Sequence, residues 1–408
     1  MKTKPLKCLL AIVMMLSVIG CAKGADNEPQ VETTVPSVEP EEENVIGIWF
    51  SYLEYQSMVK GMDEEAFRAF TQEAVANMQS IGVNTLYLHA VAFTDAFYDS
   101  SIYPRTAVLP DITYDPFGIF TETAKAAGLK VHAWINPMRS VLASQAESLP
   151  QDFIIRQWID SNDERVRQSG DRLYLNPAYP DVRKLIVSVA EELIDKYDID
   201  GIHMDDYFYP SQAAANFDAY VYSLAKQENE SLTLDAFRIS NTDALVKELH
   251  DAVKAKNPDL QFGISPAGNI QNCIMLVNAV PYHWVEQGTV DYLIPQIYWG
   301  FLHPVKPFEP TMAEWKEITD GTDTELIIGL AAYNLGLRYN LSEDETVNAE
   351  WEANDDMMAR QMASSFDNGC DGVAFYSYSS FFQPDPETQE IVDNEILHIK
   401  NYISQSRP

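Results

Sequence analysis

Residues 200–207 read DGIHMDDY, and the alternation within this stretch indicates a barrel strand. Side chains of a β-strand point alternately to its two faces. Ile202 and Met204 then form one apolar face, suited to packing against helices, while His203 and Asp205 form a polar face suited to a barrel interior. Asp205 comes at the carboxyl end, where barrel enzymes carry their active sites. The stretch therefore predicts a strand that delivers a carboxylate to the mouth of a barrel.

The rest of the chain repeats this strand with helices in between. Segments of strand length alternate with longer segments of helical period, which favours an α/β fold with a parallel sheet. The predicted strands are residues 46–52, 84–91, 130–135, 199–205, 261–265, 292–298, 325–331 and 372–377. The predicted helices include residues 64–80, about 275–287 and 351–368, and a long excursion over residues 136–180 follows the third strand. Eight strands alternating with eight helices predict a (β/α)8 TIM barrel. The alternative is a doubly wound open sheet, whose usual mark is a glycine-rich phosphate loop after the first strand. Residues 51–54 read SYLE there, without glycine.

The N-terminus carries a secretory signal. Three lysines at positions 2, 4 and 7 precede an apolar run over residues 9–19, which is too short to span a bilayer. The run ends in VIGC at residues 18–21, which looks like a bacterial lipobox with Cys21 as the lipidated residue. An ordinary signal peptide with a chance cysteine is the alternative. We therefore expect a signal peptide over residues 1–21 and an extracytoplasmic protein held on the bacterial membrane by a lipid at Cys21.

Residues 22–44 are acidic and proline-rich, and they contain no aromatic residue. Such a composition buries too little apolar surface to offset the entropy of ordering. This segment is predicted to be a flexible linker, and residues 45–408 to be a single barrel domain. Two cysteines of that domain, Cys273 and Cys370, either pair or remain buried thiols.

The charge of the chain limits its partners. It has 61 acidic against 28 basic residues, and a formal net charge of −33. Nucleic acids are bound by lysine and arginine, so that partner is not expected. No dinucleotide or phosphate-loop motif occurs, and we expect no cofactor. A neutral or weakly charged ligand suits this balance better, and we expect the protein to be a monomer.

Aromatic, amide and acidic side chains crowd the predicted strand ends, a mixture typical of sugar sites. Aromatic faces pack on the C–H surfaces of sugar rings, while amides and acids bind hydroxyl groups. The candidate substrate-binding residues are Trp49, His89, His132, Asn136, His203, Tyr207, Gln296, Tyr298 and Trp299.

Candidate catalytic carboxylates come from the same strand ends. Glycoside hydrolysis normally uses one ionised carboxylate and one carboxyl kept protonated to act as an acid. Asp205 is the first candidate, and Asp206 or Glu54 is the expected partner, with Asp95 a further candidate. The alternative interpretation is that the two neighbouring aspartates cap a helix or bind loop amides. Whether the reaction retains or inverts the anomeric configuration stays open.

Several phrases together resemble the glycosyl-hydrolase-like family 10 of bacterial envelope lipoproteins. They are IW at 48–49, HAWINP at 132–137, LNP at 175–177, DGIHMDDY at 200–207, GISP at 263–266 and PQIYW at 295–299. The resemblance implies a (β/α)8 glycosidase fold and an envelope glycan as substrate, with the glycan strands of peptidoglycan as the leading candidate.

The same strand looks like a remote version of the family 18 chitinase signature. It departs from that signature because His203 stands at the first inner acid and Tyr207 stands where the acidic glutamate would be. This departure puts the usual chitinase mechanism in doubt.

Three functions therefore compete. The favoured one is a glycoside hydrolase centred on Asp205. The second is a surface glycan-binding lipoprotein that no longer catalyses, motivated by the tyrosine at position 207. The third is a metal-dependent hydrolase, whose usual histidine pairs at ligand spacing are not present in the sequence, so no metal is expected.

Overall fold

The structure is a computed structural model that describes residues 44–406. The predicted signal peptide with Cys21, and the predicted linker up to residue 43, lie outside the described residues. Within residues 44–406, no helix is both long enough and apolar enough to cross a bilayer.

A closed barrel of parallel strands forms the centre of the described chain, which confirms the predicted TIM barrel. Its strands are β1 (Val45–Phe50), β2 (Thr85–Val91), β3 (Lys130–Ile135), β7 (Gly201–Met204), β8 (Gln261–Ile264), β9 (Tyr292–Leu293), β10 (Glu325–Ala331) and β11 (Gly372–Tyr376). They pair in the order β1-β11-β10-β9-β8-β7-β3-β2, and β2 pairs with β1 to close the ring. The carboxyl ends of all eight strands therefore meet at one face.

Helices surround this ring. The α-helices of residues 44–406 are α1 (Tyr52–Glu54), α2 (Glu64–Ser80), α3 (Pro116–Ala126), α4 (Ile154–Asp160), α5 (Pro180–Lys196), α6 (Ala219–Glu228), α7 (Leu234–Lys256), α8 (Ile270–Val277), α9 (Pro281–Glu286), α10 (Phe308–Thr319), α11 (Glu345–Asn348), α12 (Glu350–Ala353), α13 (Met357–Asp367), α14 (Tyr378–Phe382) and α15 (Gln389–Ser406). A π-helix (Tyr55–Val59) and two 3-10 helices (Ala143–Ser148 and Ala332–Asn334) accompany them. Helix α2 has the bounds that its apolar spacing predicts.

Two separate cores hold the barrel. A large outer core fills the space between strands and helices, and it includes Ile202 and Met204 of β7. A smaller core lies inside the ring and is formed by Trp49, Tyr87, Trp134, Tyr292, Ile294, Ile327 and Ala374. His203 lies beside this inner core, where its ring contacts Trp49 and Tyr292. The two faces of β7 are thus divided as the alternation predicts.

The amino end of the barrel is fixed by side chains that stand just before a strand. Each accepts a hydrogen bond from a backbone amide at the start of a neighbouring strand, at 2.6–3.0 Å. The pairs are Asn84 with Ile46, Asp200 with Val131, Asp291 with Phe262 and Asp371 with Leu326. These bonds satisfy amides near the ring's edge, and they set the register without taking part in the opposite, carboxyl face.

An inserted sheet follows β3, where the sequence predicts only a long excursion. Strands β4 (Arg139–Leu142), β5 (Val166–Ser169) and β6 (Arg172–Leu175) form an antiparallel sheet in the order β4-β6-β5. Because it leaves the barrel at the carboxyl end of β3, this sheet brings additional side chains to the mouth.

Two predicted helices are interrupted. The segment predicted as one helix near residues 275–287 is two, because Asn278 adopts a left-handed conformation with φ of 53° and Pro281 starts a new helix. The helix predicted over 351–368 also breaks, between α12 and α13.

The sixth predicted strand is shorter than expected. It ends at Leu293, close to Pro295, which has no backbone amide to donate to a neighbouring strand. Cys273 and Cys370 are buried free thiols.

Candidate active site

A cavity of about 470 Å³ opens at the carboxyl ends of the barrel strands. It is lined by Trp49, Leu53, Glu54, Trp134, Asp205, Asp206, Tyr207, Ser265, Gln296, Tyr298, Tyr333, Tyr376, Ser377, Ser379 and Ser380. The three predicted catalytic carboxylates all lie at its surface.

Asp205 follows the last residue of β7 and is 7% exposed. Its Oδ1 accepts hydrogen bonds from the backbone amide of Asp206 at 2.8 Å and from Nε2 of Gln296 at 3.0 Å. Burial raises the pKa of Asp205 well above its usual value, and the charge of Asp206 adds to this effect. Both effects favour the protonated form of this carboxyl.

Asp206 is half-buried beside Asp205. Burial raises the pKa of Asp206 as well, but its hydrogen bond with the Asp205 side chain opposes that rise. The shared hydrogen bond therefore raises the pKa of Asp205 and lowers that of Asp206, which makes Asp206 the more acidic of the two. Nearby Arg139 lowers the pKa of both groups. The pair thus offers two carboxyls of unequal acidity at adjacent positions.

Glu54 lies at the cavity wall but is held on both oxygens. Oε2 accepts from the hydroxyl of Ser51 and from its amide at 2.9 Å, which forms the N-terminal cap of α1. Oε1 accepts from the hydroxyl of Ser377 and from that of Ser379 at 2.7 Å. The carboxylate therefore joins the end of β1 to the loop after β11.

Aromatic rings form the remaining walls. Tyr298 lies nearly parallel to Tyr376 with 6.0 Å between ring centres, and it meets Tyr333 edge to face at 5.8 Å. Trp49 contacts Tyr376 edge to face at 5.9 Å. Burial raises the pKa of Tyr298 and Tyr376, so both hydroxyls are protonated and can donate a hydrogen bond to a ligand. Such rings suit the C–H faces and the hydroxyl groups of sugars.

A second cavity of about 310 Å³ adjoins the first, and Trp299 lines it. Both cavities share Gln296, Tyr298 and Tyr333. The adjoining cavity adds the amides of Asn269, Asn272 and Asn334. The two spaces form one cleft, with Asp205 and Asp206 in only one of them.

Comparison with known sequences decides the family. The sequence pattern described as glycosyl hydrolase-like 10 matches residues 44–346, which include Glu54, Asp205 and Asp206. The chain belongs to the glycosyl hydrolase-like 10 family. The predicted family and its glycoside hydrolase class are therefore confirmed.

Relatives of this glycosyl hydrolase-like 10 member include two proteins named as glycosyl hydrolases. Glycosyl hydrolase DigH of Escherichia coli is 29% identical over 306 residues, which cover 67% of this chain and 67% of that protein. Glycosyl hydrolase YngK of Bacillus subtilis is 30% identical over 288 residues, 65% of this chain and 55% of that protein. The chain thus spans little more than half of the latter.

A solved structure shows the same fold. The glycoside hydrolase domain of PgaB from Bordetella bronchiseptica aligns with 86% of this chain and 98% of its own, with a TM-score of 0.54 and 16% identity.

Four predicted binding residues lie beneath the cavity and not at its surface. His89, His132, His203 and Asn136 are each at most 1% exposed. His203 Nε2 accepts from the Trp49 indole at 3.1 Å, and His132 bonds Tyr292 at 2.8 Å. Burial lowers the pKa of all three histidines, to about 3 for His132, so these rings are neutral. They act as polar packing that orients the residues above them.

Asp95, the further carboxylate candidate, also lies away from the cavity. It accepts hydrogen bonds from the amide of Phe93 at 2.9 Å and from the hydroxyl of Thr106, and it closes the loop after β2.

Among the described residues, no group of three or more His, Cys, Asp or Glu side chains is placed to bind a metal.

Some lining residues carry no distinctive sequence signal. Leu53, Ser377 and Ser380 come from short helical turns after β1 and β11, which the sequence does not separate from the strands. Trp134, Ser265 and Tyr376 stand at ends of predicted strands, and the structure places all three in the cavity wall.

Proposed function

We propose that this protein hydrolyses glycosidic bonds in the glycan strands of peptidoglycan, with Asp205 as the proton donor. The observation that carries the proposal is a buried carboxyl of raised pKa, held by Gln296, in a cavity walled by tyrosine and tryptophan rings. Membership of the glycosyl hydrolase-like 10 family supports the reaction class. The sequence resemblance to envelope lipoproteins supports the choice of glycan.

The proposed reaction divides its roles between the two aspartates. As the bond between the anomeric carbon and the glycosidic oxygen breaks, Asp205 gives its proton to the leaving oxygen. The ionised Asp206 stabilises the positive charge that develops on the sugar ring. A water oxygen then bonds to the anomeric carbon, and its proton passes to a carboxylate of the pair. Glu54 positions the cavity wall, because both of its oxygens already accept hydrogen bonds.

The adjoining cavities suit sugars on both sides of the bond that breaks. Tyr298 and Tyr333 line both cavities. They are therefore placed to pack against a glycan chain where it passes from one cavity to the other. The amides of the second cavity are proposed to bind hydroxyl or acetamido groups. Trp299 provides a ring face there.

We also propose that the protein acts outside the cytoplasm, anchored by a lipid on Cys21. This rests on the basic start, the short apolar run and the VIGC sequence. Cells grown with a labelled fatty acid should yield a labelled protein, and Cys21→Ser should abolish both the label and membrane association. A Cys21→Ser protein that stays in the membrane fraction would overturn the anchor.

The test of the reaction uses three glycans: purified peptidoglycan, peptidoglycan stripped of its stem peptides, and chitin oligomers. Products are read by mass spectrometry. Oligosaccharides released by the wild type but not by Asp205→Asn support the proposal and identify the substrate class. Glycan binding without product at any protein concentration would instead identify a binding protein, the function that Tyr207 at the usual acid position suggests.

A further inference from the structure

Two arginines from the inserted sheet meet beside the catalytic aspartates. Arg139 on β4 and Arg172 on β6 both approach the ring of Phe93, with guanidinium carbons 5.0 and 4.5 Å from its centre. Arg139 also lies over Tyr207, 4.2 Å from the ring centre. Tyr207 lines the cavity with Asp205 and Asp206. The arginine pair therefore stands at the edge of the reaction site.

Neither arginine is held by a carboxylate at salt-bridge distance. Within the described part of the chain, neither Arg139 nor Arg172 forms an ion pair, and the side chain of Arg139 donates no hydrogen bond. Nη1 of Arg139 is nevertheless shielded from solvent and unpartnered. Arg172 gives one hydrogen bond, from Nη1 to the carbonyl oxygen of Ser140 at 2.6 Å. A buried guanidinium nitrogen without an acceptor costs free energy unless a ligand supplies one.

The local charge points the same way. Two guanidinium groups stand beside Asp205 and Asp206, and burial favours the protonated form of Asp205. Acidic residues outnumber basic ones by 61 to 28 in this chain, so acidic partners are plentiful. Asp171 is next to Arg172 in the sequence, but it is exposed and forms an ion pair with neither arginine. By contrast Arg167, on β5 of the same sheet, has Glu164 at 3.9 Å. The positive charge beside the cavity is thus specific to Arg139 and Arg172.

We propose that Arg139, supported by Arg172, binds the carboxylate of an acidic sugar unit that occupies the cleft. This inference rests on the proposed glycosidase function and names a feature of its substrate. A guanidinium offers paired N–H donors whose spacing matches the two oxygens of a carboxylate. Packing on Phe93 and Tyr207 holds the Arg139 group flat and in place before the ligand arrives. A neutral glycan offers only hydroxyl and carbonyl oxygens, which accept weaker hydrogen bonds from a guanidinium than a carboxylate does.

Two kinds of sugar carry such a carboxylate. A muramic acid unit without its stem peptide has one on its lactyl ether, and a uronic acid has one on the ring itself. The binding test therefore includes stem-peptide-free peptidoglycan strands, hyaluronan oligosaccharides as the uronic acid glycan, and chitin oligomers as the neutral glycan.

Calorimetry on the full-length protein carrying Asp205→Asn measures binding without turnover. Adding Arg139→Gln should weaken binding of an acidic glycan by about tenfold or more, because hydrogen bonds to charged groups are lost. Chitin binding should change by less than about twofold. Which acidic glycan responds identifies the source of the carboxylate. Arg167→Gln, on the same sheet, is the matched control and should change neither affinity.

The other outcomes are decisive as well. An equal loss on chitin would show that Arg139 serves the aspartates or the fold, and would overturn the inference. So would unchanged binding of both acidic glycans, or no binding of either to the parent protein. Circular dichroism and Tm confirm that the variants are folded. Failure of the wild type to cleave any glycan would overturn the proposed reaction alone, because arginine-dependent binding is measured separately.

Discussion

The side-chain amide of Gln296 donates from one nitrogen, Nε2, to Oδ1 of Asp205 and to the carbonyl oxygen of Ser265, both at 3.0 Å. Asp205 follows β7, Ser265 follows β8 and Gln296 comes after β9, and these three strands are consecutive in the barrel. The amide therefore ties three strand ends together. It fixes the direction in which the Asp205 carboxyl faces the cavity.

Replacing Gln296 by leucine should shift the pH profile of catalysis. A hydrogen bond donated to a carboxylate favours its charged form, so its loss should raise the pKa of Asp205 further. A proton donor loses activity as pH rises through its pKa, so the alkaline limb of kcat/KM should move to higher pH by about one unit. We expect turnover to fall about tenfold, since orientation is also lost.

The matched control is Gln261→Leu, because Gln261 lies on β8 at the opposite end of the barrel. Its pH profile should match that of the wild type. An alkaline limb that stays in place in Gln296→Leu would contradict a direct effect on the catalytic acid.

Asp205→Asn should remove activity without removing the fold. Loss of a general acid typically lowers rates by about 10²–10⁴-fold. Because burial raises the folded-state pKa of Asp205, its contribution to stability is complete below the unfolded pKa of about 3.9, and is lost as pH rises from there toward the folded pKa. Asparagine does not titrate, so the Tm of the variant should rise relative to that of the wild type between pH 4 and pH 8, and should equal or exceed it at pH 8. A lower Tm at pH 8 would argue that Asp205 is ionised in the folded protein.

A buried ion pair fixes the chain between β7 and α7. Arg238 is 4% exposed and holds Asp218, which is fully buried, with bonds of 2.9 and 3.0 Å. Arg238→Met should lower the free energy of unfolding by about 3 kcal/mol or more, because it leaves a buried charge unpaired. Denaturant unfolding measures the loss. The double variant with Asp218→Leu should recover much of it, and a double variant no more stable than Arg238→Met would contradict this account.

Local sequence patterns predict the barrel strands well, whereas long-range contacts determine the site. Alternation places His203 inside the barrel, but depth depends on the register with Trp49 and Tyr292, and this register puts the ring below the cavity. The sequence makes Glu54 a candidate catalytic carboxylate. In the structure it accepts a hydrogen bond from Ser377, which comes 323 residues later in the chain and could not be paired with it from the sequence. The inserted sheet is missed because its strands have only four residues each, too few to display a period.

Glu395 on α15 should make stability fall as pH rises. It is fully buried, its Oε1 accepts from the amide of Ala359 at 2.8 Å, and burial raises its pKa to about 8. The unfolded value is near 4.3. The folded state therefore binds the proton more tightly, so this stabilisation is complete below about pH 4 and is lost as pH rises to about 8.

Glu395→Gln keeps the shape of the side chain but removes its titration. Between pH 5 and 8 the wild type should lose about 3.5 kcal/mol more than this variant, measured by urea unfolding. Glu390→Gln, at an exposed position of the same helix, should retain the full wild-type slope. If Glu395→Gln also retains it, the carboxyl is not protonated inside the fold, and the N-terminus of α13 is bound by an ionised Glu395.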